Sequence, residues 1–477
     1  MKATLLHCDI LVVGAGPSGL AAAAAARECG ADVICLDLFS RAGGQYHMQP
    51  ASGDSRFQAT PQVSQGRAAE SRCRELGVRF LLETEIFWAE PGFTVFARQN
   101  GDAVTITAAA VIAACGAMER PIPFDGWTLP GVLTAGAAQR LIKANGTLPG
   151  RNTVLAGTGP FLLAVASTFA KAGLPLRAYV ELQAPKLGLL APFLRHPSRL
   201  PEAVRLLSGV RATGASIHSG HIVTAALGDG RLEAVRMAPV GADGRPQTEK
   251  AVTIDGIDAL CIGYGFQPVI DFTSLLGAKH HYDTRLGGWA CTVEPATQTT
   301  DVPGLFAAGE TTGIGGAVPA RLSGRLAGLS AASTIGKPVA GDTLKTLPAQ
   351  LAHARHFAAT LARLFPFPGH LVEALPQNEV LCRCEDVSRA AITTALDEGA
   401  DDVFSVKMWT RAGMGPCQGR ICGSALSHLV AGHQGTPVAS SGYNRPHMPL
   451  RPVPLRIADA ALALGSPTPH NAGGHQA

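Results

Sequence analysis

The chain has 477 residues, of which 46% are hydrophobic and 16% charged, with a net charge of +4. That length exceeds one compact core, because domains run to ~100–200 residues, so two or three are expected, and the apolar composition excludes a disordered chain. With 5% aromatic residues and no basic cluster, nothing points to a nucleic-acid partner.

At the N-terminus, "LAAAAAARECGADVICL" is interrupted by Arg27, Glu28 and Asp32, well short of the ~20 apolar residues of a membrane span. Nothing before Ile10 has the basic flank and cleavage site of a signal peptide, so the expectation is a cytoplasmic chain with no transmembrane segment. The same region carries the first motif, "VVGAGPSGL". Ile10–Val13 reads as a buried strand, Gly14, Gly16 and Gly19 as a turn, Pro17 and Ser18 as the start of an alanine-rich helix, and Val33–Leu36 as a second strand ending in Asp37. Glycines there let the backbone approach a pyrophosphate at the positive end of the helix, and the acid suits a ribose diol, so FAD or NAD is expected rather than NADP.

A weaker echo follows in "NTVLAGTGPFLLAVASTFAKAGLPLRAYVEL". Gly157 and Gly159 keep the turn and Glu181 closes the second strand, but Leu162 occupies the third glycine position. Two readings stay open: an adenine nucleotide such as NAD or ATP, or a purely architectural loop.

Two strands running into Cys115-Gly116 and into Gly263 then look like crossovers, and "TDVPGLFAAGETTGIGGAVPARLSG" gives a short strand, Gly309-Glu310, a glycine-rich turn and a helix. Together these resemble the two-dinucleotide-binding-domain flavoproteins, in which an FAD domain is split by an inserted NAD-type domain. The resemblance implies an α/β fold with two Rossmann-like domains. It also implies an FAD site drawing on Gly116, on Arg41 and Gln45 in "RAGGQ", and on Glu310 for the ribityl chain, where the family usually has Asp. The redox dithiol of the disulfide reductases is missing from "RAGGQYHMQPASG" and from "GTGPFL". His47 nearby is expected to be a solvent-facing loop residue.

Of the eleven cysteines, seven lie scattered in apolar stretches and read as reduced core residues. The other four form Cys382-x-Cys384, then 32 residues, then Cys417-x4-Cys422. Ser388 reads as the cap of one helix, "DDVFSVKMWTRAG" as a second, and the segment from Cys417 as a third whose first turn holds the second thiol pair. Iron–sulfur clusters and zinc both accept four cysteines, and the single-residue spacing favours iron; structural zinc and unligated thiols are the alternatives.

This segment resembles the small helical [2Fe–2S] domain of bacterioferritin-associated ferredoxin, with C-x4-C in place of the usual C-x2-C. "CRCEDV", "TRAGMGPCQGRICG" and "PFDGWTLPGVLTAGAAQ" further resemble the α subunits of opine oxidases, hydroxyproline and proline dehydrogenases and hydrogen cyanide synthase, up to about Pro454. The resemblance implies an electron-transfer subunit carrying FAD and a [2Fe–2S] cluster on Cys382, Cys384, Cys417 and Cys422. Amine C–N oxidation would occur on a flavoprotein β subunit similar to D-amino-acid oxidases. An FMN at a subunit interface, a small ferredoxin-like γ subunit, and a quinone or other acceptor complete the implied assembly, in the cytoplasm or peripherally at the inner membrane. No catalytic base or nucleophile is nominated on this chain. The competing functions are a self-contained NAD(P)H-dependent reductase and a non-catalytic iron or oxygen sensor.

The expected boundaries are 1–122 with 290–336 for the FAD domain, 123–289 for the inserted domain, 337–376 for a helical linker, 377–434 for the cluster domain and 435–477 for an extended tail. That tail is rich in proline and poor in periodicity, and reads as disordered or partner-wrapping.

Overall fold

A computed structural model describes residues 2–465 apart from 51–54, 59, 185–199 and 340. Its first sheet runs in the order Arg79–Leu81, Val33–Leu36, Ala3–Val13, Asp102–Ala113, Thr94–Gln99, Thr84–Glu90. The first four strands are parallel and the last two antiparallel. The opening strand begins earlier than its apolar run, because Ala3–Cys8 pairs with residues 103–108 while staying partly exposed.

Asp102–Ala113 is shared between two edges. Its first half pairs with Thr94–Gln99, and Val111–Ala113 pairs in parallel with Leu305–Ala307, which returns from beyond the inserted domain. The alanine-rich helix Pro17–Glu28 packs on the helix Ala317–Thr334 that follows this returning strand. Glycine is required at the crossing. A Cβ on Gly324 would lie 2.1 Å from Ser18 O, and one on Gly328 2.3 Å from Ala22 O.

The inserted part holds a second parallel sheet, in the order Ser216–Ser219, Ala178–Glu181, Thr153–Gly157, Ala259–Gly263, Val132–Thr134. Beside it stands an antiparallel sheet of His221–Leu227, Ala234–Pro239 and Val252–Asp255. The two passages between the halves, Ala117–Glu119 and Phe266–Pro268, pair antiparallel with each other, so entry and exit are tied together.

Helix Gly341–Leu364 follows, burying Leu347 and Leu351 against Leu326 and Leu329. The thiol unit is a short hairpin, Val380–Cys382 with Val387–Ser388, and the helices Arg389–Asp397, Val403–Thr410 and Gly423–Gln434. Ser388 Oγ accepts from Ala391 N at 3.2 Å and caps the first of them. The unit shares one continuous apolar core with the inserted part, and Trp127 Nε1 donates to Val380 O at 2.7 Å across the junction.

Two expectations are corrected here. The second thiol pair precedes its helix instead of opening it, because Gln418 (φ 54°) and Gly419 (φ 76°) are both left-handed and break the helical path before Gly423. The segment after Gly435 is not an extended tail up to residue 465. Leu455–Gly465 is a helix that buries Ile457 and Ala461 against Phe87, Phe96 and Ala103 of the first sheet. Residues 466–477 lie outside the described residues.

Candidate functional site

The first glycine loop is built by close backbone approach. Gly14 has φ 104°, and a Cβ there would lie 2.3 Å from Ala114 O; a Cβ on Gly19 would lie 1.7 Å from Gly14 O. Pro17 opens the helix, and Gly16 caps it without a side chain, so the first amides are left for a ligand. Ser18 Oγ is buried there with no partner.

Asp37 is buried. Its Oδ2 accepts from Ala15 N at 2.6 Å and its Oδ1 from Phe39 N at 2.9 Å, and burial pushes its carboxyl up despite those bonds. Arg140 stacks on Phe39 at 4.0 Å and faces Asp37 electrostatically. The turn at 43–45 lies over the loop, since a Cβ on Gly44 would stand 2.8 Å from Gly16 Cα.

From the other half of the chain, Gly309 meets Ser18, where a Cβ would be 2.7 Å from Ser18 Cβ. Gly116 N donates to Thr311 Oγ1 at 3.2 Å, and Glu310 Oε1 accepts from Gly316 N at 3.1 Å at the head of helix Ala317–Thr334. Burial raises the Glu310 carboxyl. The fold thus gathers Gly14, Gly16, Pro17, Ser18, Gly19, Asp37, Gly116, Gly309 and Glu310. Arg41 is exposed and donates to Pro50 O at 2.9 Å, and Gln45 is exposed on the turn.

His47 corrects its expected place. It is buried, 1% exposed, with Nδ1 bonded to Gln62 O at 2.6 Å. Gly43 and Gly66 make the space, because a Cβ on either would come within 2.7 Å of a His47 atom. Burial first, then the charges of Arg321 and Lys143, lower its pKa.

The second loop keeps the same backbone device but fills its own space. A Cβ on Gly157 would lie 1.9 Å from Gly263 O. Glu181 accepts from Thr158 Oγ1 at 2.8 Å, Gln183 N at 3.1 Å and Gly159 N at 3.3 Å, and burial pushes it up to about 7. Leu162 is 1% exposed, and Phe365 from the linker lies 3.6 Å from the position of a Gly159 Cβ.

The four C-terminal thiols gather close enough to feel one another electrostatically, Cys382 and Cys384 facing Cys417 and Cys422, and none is in a disulfide. Cys382 and Cys422 are buried and Cys384 is exposed. Gly413 N donates to Cys382 Sγ at 3.4 Å, and Gly415 leaves room for Cys384, whose Cβ would lie 2.3 Å from a Gly415 Cβ. Hydrogen bonding from Cys422 and the loop amides holds the Cys382 thiol down to about 6, while the same bond and burial raise Cys422. Among the described residues, no three histidine, cysteine or carboxylate side chains converge on a single ion position.

Sequence reading missed Thr311, Arg420 and Asn444. Arg420 Nε pairs with Asp271 Oδ2 at 2.8 Å, and Asn444 Nδ2 donates to Gln418 O at 2.8 Å inside the thiol loop. Arg420 sits inside the thiol motif without a thiol of its own and Asn444 belongs to no motif, and only the fold brings their partners close. The other seven cysteines are free, with Cys35, Cys73, Cys261 and Cys291 buried.

Fold and loops together define a flavin-type oxidoreductase with two dinucleotide domains and an appended thiol unit. Residues 8–333 match the pyridine nucleotide-disulphide oxidoreductase family and residues 377–462 the sarcosine oxidase A3 domain. Within that class, the chain belongs to the family of oxidase subunits that contains the A-type subunit of opine oxidase. It is 33% identical over 469 residues to that protein of Rhizobium meliloti (strain 1021), covering 94% of this chain and 98% of that one. To hydrogen cyanide synthase subunit HcnB of Pseudomonas aeruginosa it is 30% identical over 459 residues, covering 93% and 97%. The alpha subunit of sarcosine oxidase from Corynebacterium sp. (strain P-1) is 26% identical over 491 residues, spanning 96% of this chain and 45% of that one. In fold, the chain is similar to L-proline dehydrogenase from P. horikoshii, with a TM-score of 0.69, 19% identity, and coverage of 96% and 80%. Among the described residues, no helix is long and apolar enough to cross a membrane.

Proposed function

We propose that this chain is the electron-transfer subunit of a multi-subunit amine dehydrogenase, holding FAD at the first glycine loop and a [2Fe–2S] cluster at the C-terminal thiols. The observation that carries the reading is the gathering of those four free thiols around the Gly413 amide and the Cys417–Cys422 loop. A dinuclear cluster takes two thiolates on each iron, four in all, and the single-residue spacing of Cys382 and Cys384 suits it better than the two- to four-residue spacing usual for zinc. The donor set fits: four thiols, two of them sealed from water, with the Gly413 amide aimed at Cys382 Sγ.

The first loop fits a dinucleotide on equally local grounds. Ser18 Oγ is buried without a partner beside free helix amides, and Asp37 retains acceptor capacity beyond its two backbone bonds. When bound, FAD accepts electrons as a pair and the cluster passes them singly. This chain's residues then orient and shield. Gly14 to Gly19 would hold the pyrophosphate at the helix head and Asp37 would orient the ribose, while the Thr311 contact holds Gly116 beside the Gly309-Glu310 turn. Arg41 and Gln45 are assigned to the rim of the same site.

In the second loop, Leu162 and Phe365 occupy the space and Glu181 takes the Gly159 amide, which supports the architectural reading over an NAD or ATP site. Amine oxidation is assigned to a flavoprotein β subunit similar to D-amino-acid oxidases. An interface FMN, a small γ subunit, a quinone or other acceptor, and a cytoplasmic place, at most peripheral to the inner membrane, complete the proposal.

The test is to assay iron, acid-labile sulfide, zinc and flavin in the purified chain and then add NADH. Two irons and two sulfides per FAD, with no rapid bleaching of the flavin by NADH, are expected. Zinc in place of iron would sink the cluster assignment, and rapid bleaching would favour the self-contained reductase.

A further inference from the structure

The segment after the last thiol-unit helix carries contacts that no motif foretold. Asn444 inserts its side chain into the Cys417–Cys422 loop, where Nδ2 donates to Gln418 O at 2.8 Å and to Gly413 O at 3.4 Å. The loop is shaped around it. A Cβ on Gly419 would lie 2.0 Å from Asn444 Nδ2, and one on Gly413 3.3 Å from its Cγ. Gly413 is also the residue whose amide bonds Cys382 Sγ. One carboxamide therefore touches the backbone beside Cys417 and the backbone that serves Cys382.

Neighbouring residues fix this carboxamide in place. Tyr443 OH bonds Ser274 Oγ at 3.1 Å and His280 Nδ1 at 3.2 Å on the nucleotide-binding half, and Arg445 O accepts from Lys407 Nζ at 3.3 Å. Leu450 N donates to Phe87 O at 2.8 Å, and helix Leu455–Gly465 then seats on the first sheet. The segment is a strap, anchored on the sheet at one end and inserted in the thiol loop at the other.

A left-handed glutamine at 418 is held only if surrounding bonds impose it. We infer that Asn444 is a positioning residue that locks the Cys417–Cys422 loop, keeping Cys422 sealed and the two thiol pairs in register. The inference rests on the thiol-centre reading for what the thiols hold, but the loop geometry and its test stand without a metal.

The test compares Asn444→Ala and Asn444→Asp with the parent, all as full chains. In metal-depleted protein, native-state labelling by a disulfide thiol reagent is timed, with modified cysteines identified by mass spectrometry. Cys422 is 1% exposed and Cys73 0%, so both start slow. Both variants are expected to speed Cys422 labelling by about tenfold or more, because neither can donate to the two carbonyls, with Cys73 unchanged. In metal-loaded protein, both are expected to alter the visible absorption and to release metal faster to a chelator. Cys422 labelling within about twofold of the parent in both variants would overturn the inference. So would an equal rise at Cys73, which marks general unfolding. Should Asn444→Ala not fold, the isosteric Asn444→Asp decides. A metal assay showing no iron defeats the cluster reading while leaving the labelling result to judge the lock.

Discussion

Arg420 Nε donates to Asp271 Oδ2 at 2.8 Å, with the two side chains only 10% and 17% exposed. Gln267 Nε2 donates to Arg420 O at 2.8 Å beside it. The thiol loop is thereby bolted to the strand that leaves the inserted domain and to the first residue of the helix that follows.

Removing one partner strands the other charge away from water. Arg420→Ala is expected to cost about 3 kcal/mol of stability, more than a surface pair would. The double variant Arg420→Met with Asp271→Leu should recover much of that loss. Denaturant titration of both variants checks it, and an additive result would show that the pair is not coupled.

Ser18→Ala should separate stability from binding. Its Oγ is buried without a partner, so its loss is expected to leave the flavin-free protein as stable or slightly more so. Flavin affinity should fall by about 1 kcal/mol, roughly fivefold, if that hydroxyl serves the dinucleotide. Fluorescence titration of stripped protein measures the second effect and thermal melting the first.

Glu181 gives a pH signature. Its carboxyl is pushed from 4.5 up to about 7 by burial, so the folded chain holds that proton more tightly than the unfolded one. Unfolding then releases a proton between pH 4.5 and 7, and stability falls as pH rises through that window. Glu181→Gln is expected to flatten the dependence by on the order of 2 kcal/mol across it. Chemical denaturation at pH 5, 6, 7 and 8 reads the slope; equal slopes in parent and variant would refute the assignment.

The thiols should divide by burial. Cys384 is exposed, so Cys384→Ala is expected to lower iron content while leaving the metal-free melting temperature near the parent's. Cys422→Ala should lower both, because Cys422 packs in the shared core and its loss opens a small cavity costing about 1–2 kcal/mol. Iron assay and melting of metal-free protein distinguish the two.

The glycine loops were legible because each turn forces left-handed or close-packed backbone at fixed spacing, and Gly14, Gly19 and Gly157 meet carbonyls at distances only glycine tolerates. The thiol spacing was legible for similar reasons of chemistry. His47 was not, since its burial depends on Gly66, a helix residue that no local pattern connects to it. The second thiol pair read as helical because Gln418 gives no sign of a left-handed turn. The segment from Tyr443 to Leu450 is held by single hydrogen bonds instead of a repeating apolar face, so proline content dominated its reading.

The strand Asp102–Ala113 has an edge at Val111–Ala113 that Leu305–Ala307 completes. On a ribosome working at about 5–20 residues per second, the missing strand is synthesised roughly 10–40 seconds after its neighbour. During that interval the inserted half, whose sheet pairings lie between Val132 and Gly263, has all its strands available. The order in which the two parallel sheets can be completed therefore runs from the inserted half outward. The first glycine loop gains its last wall only when Gly309 arrives against Ser18, so the proposed flavin site is complete only after residue 309 has been made.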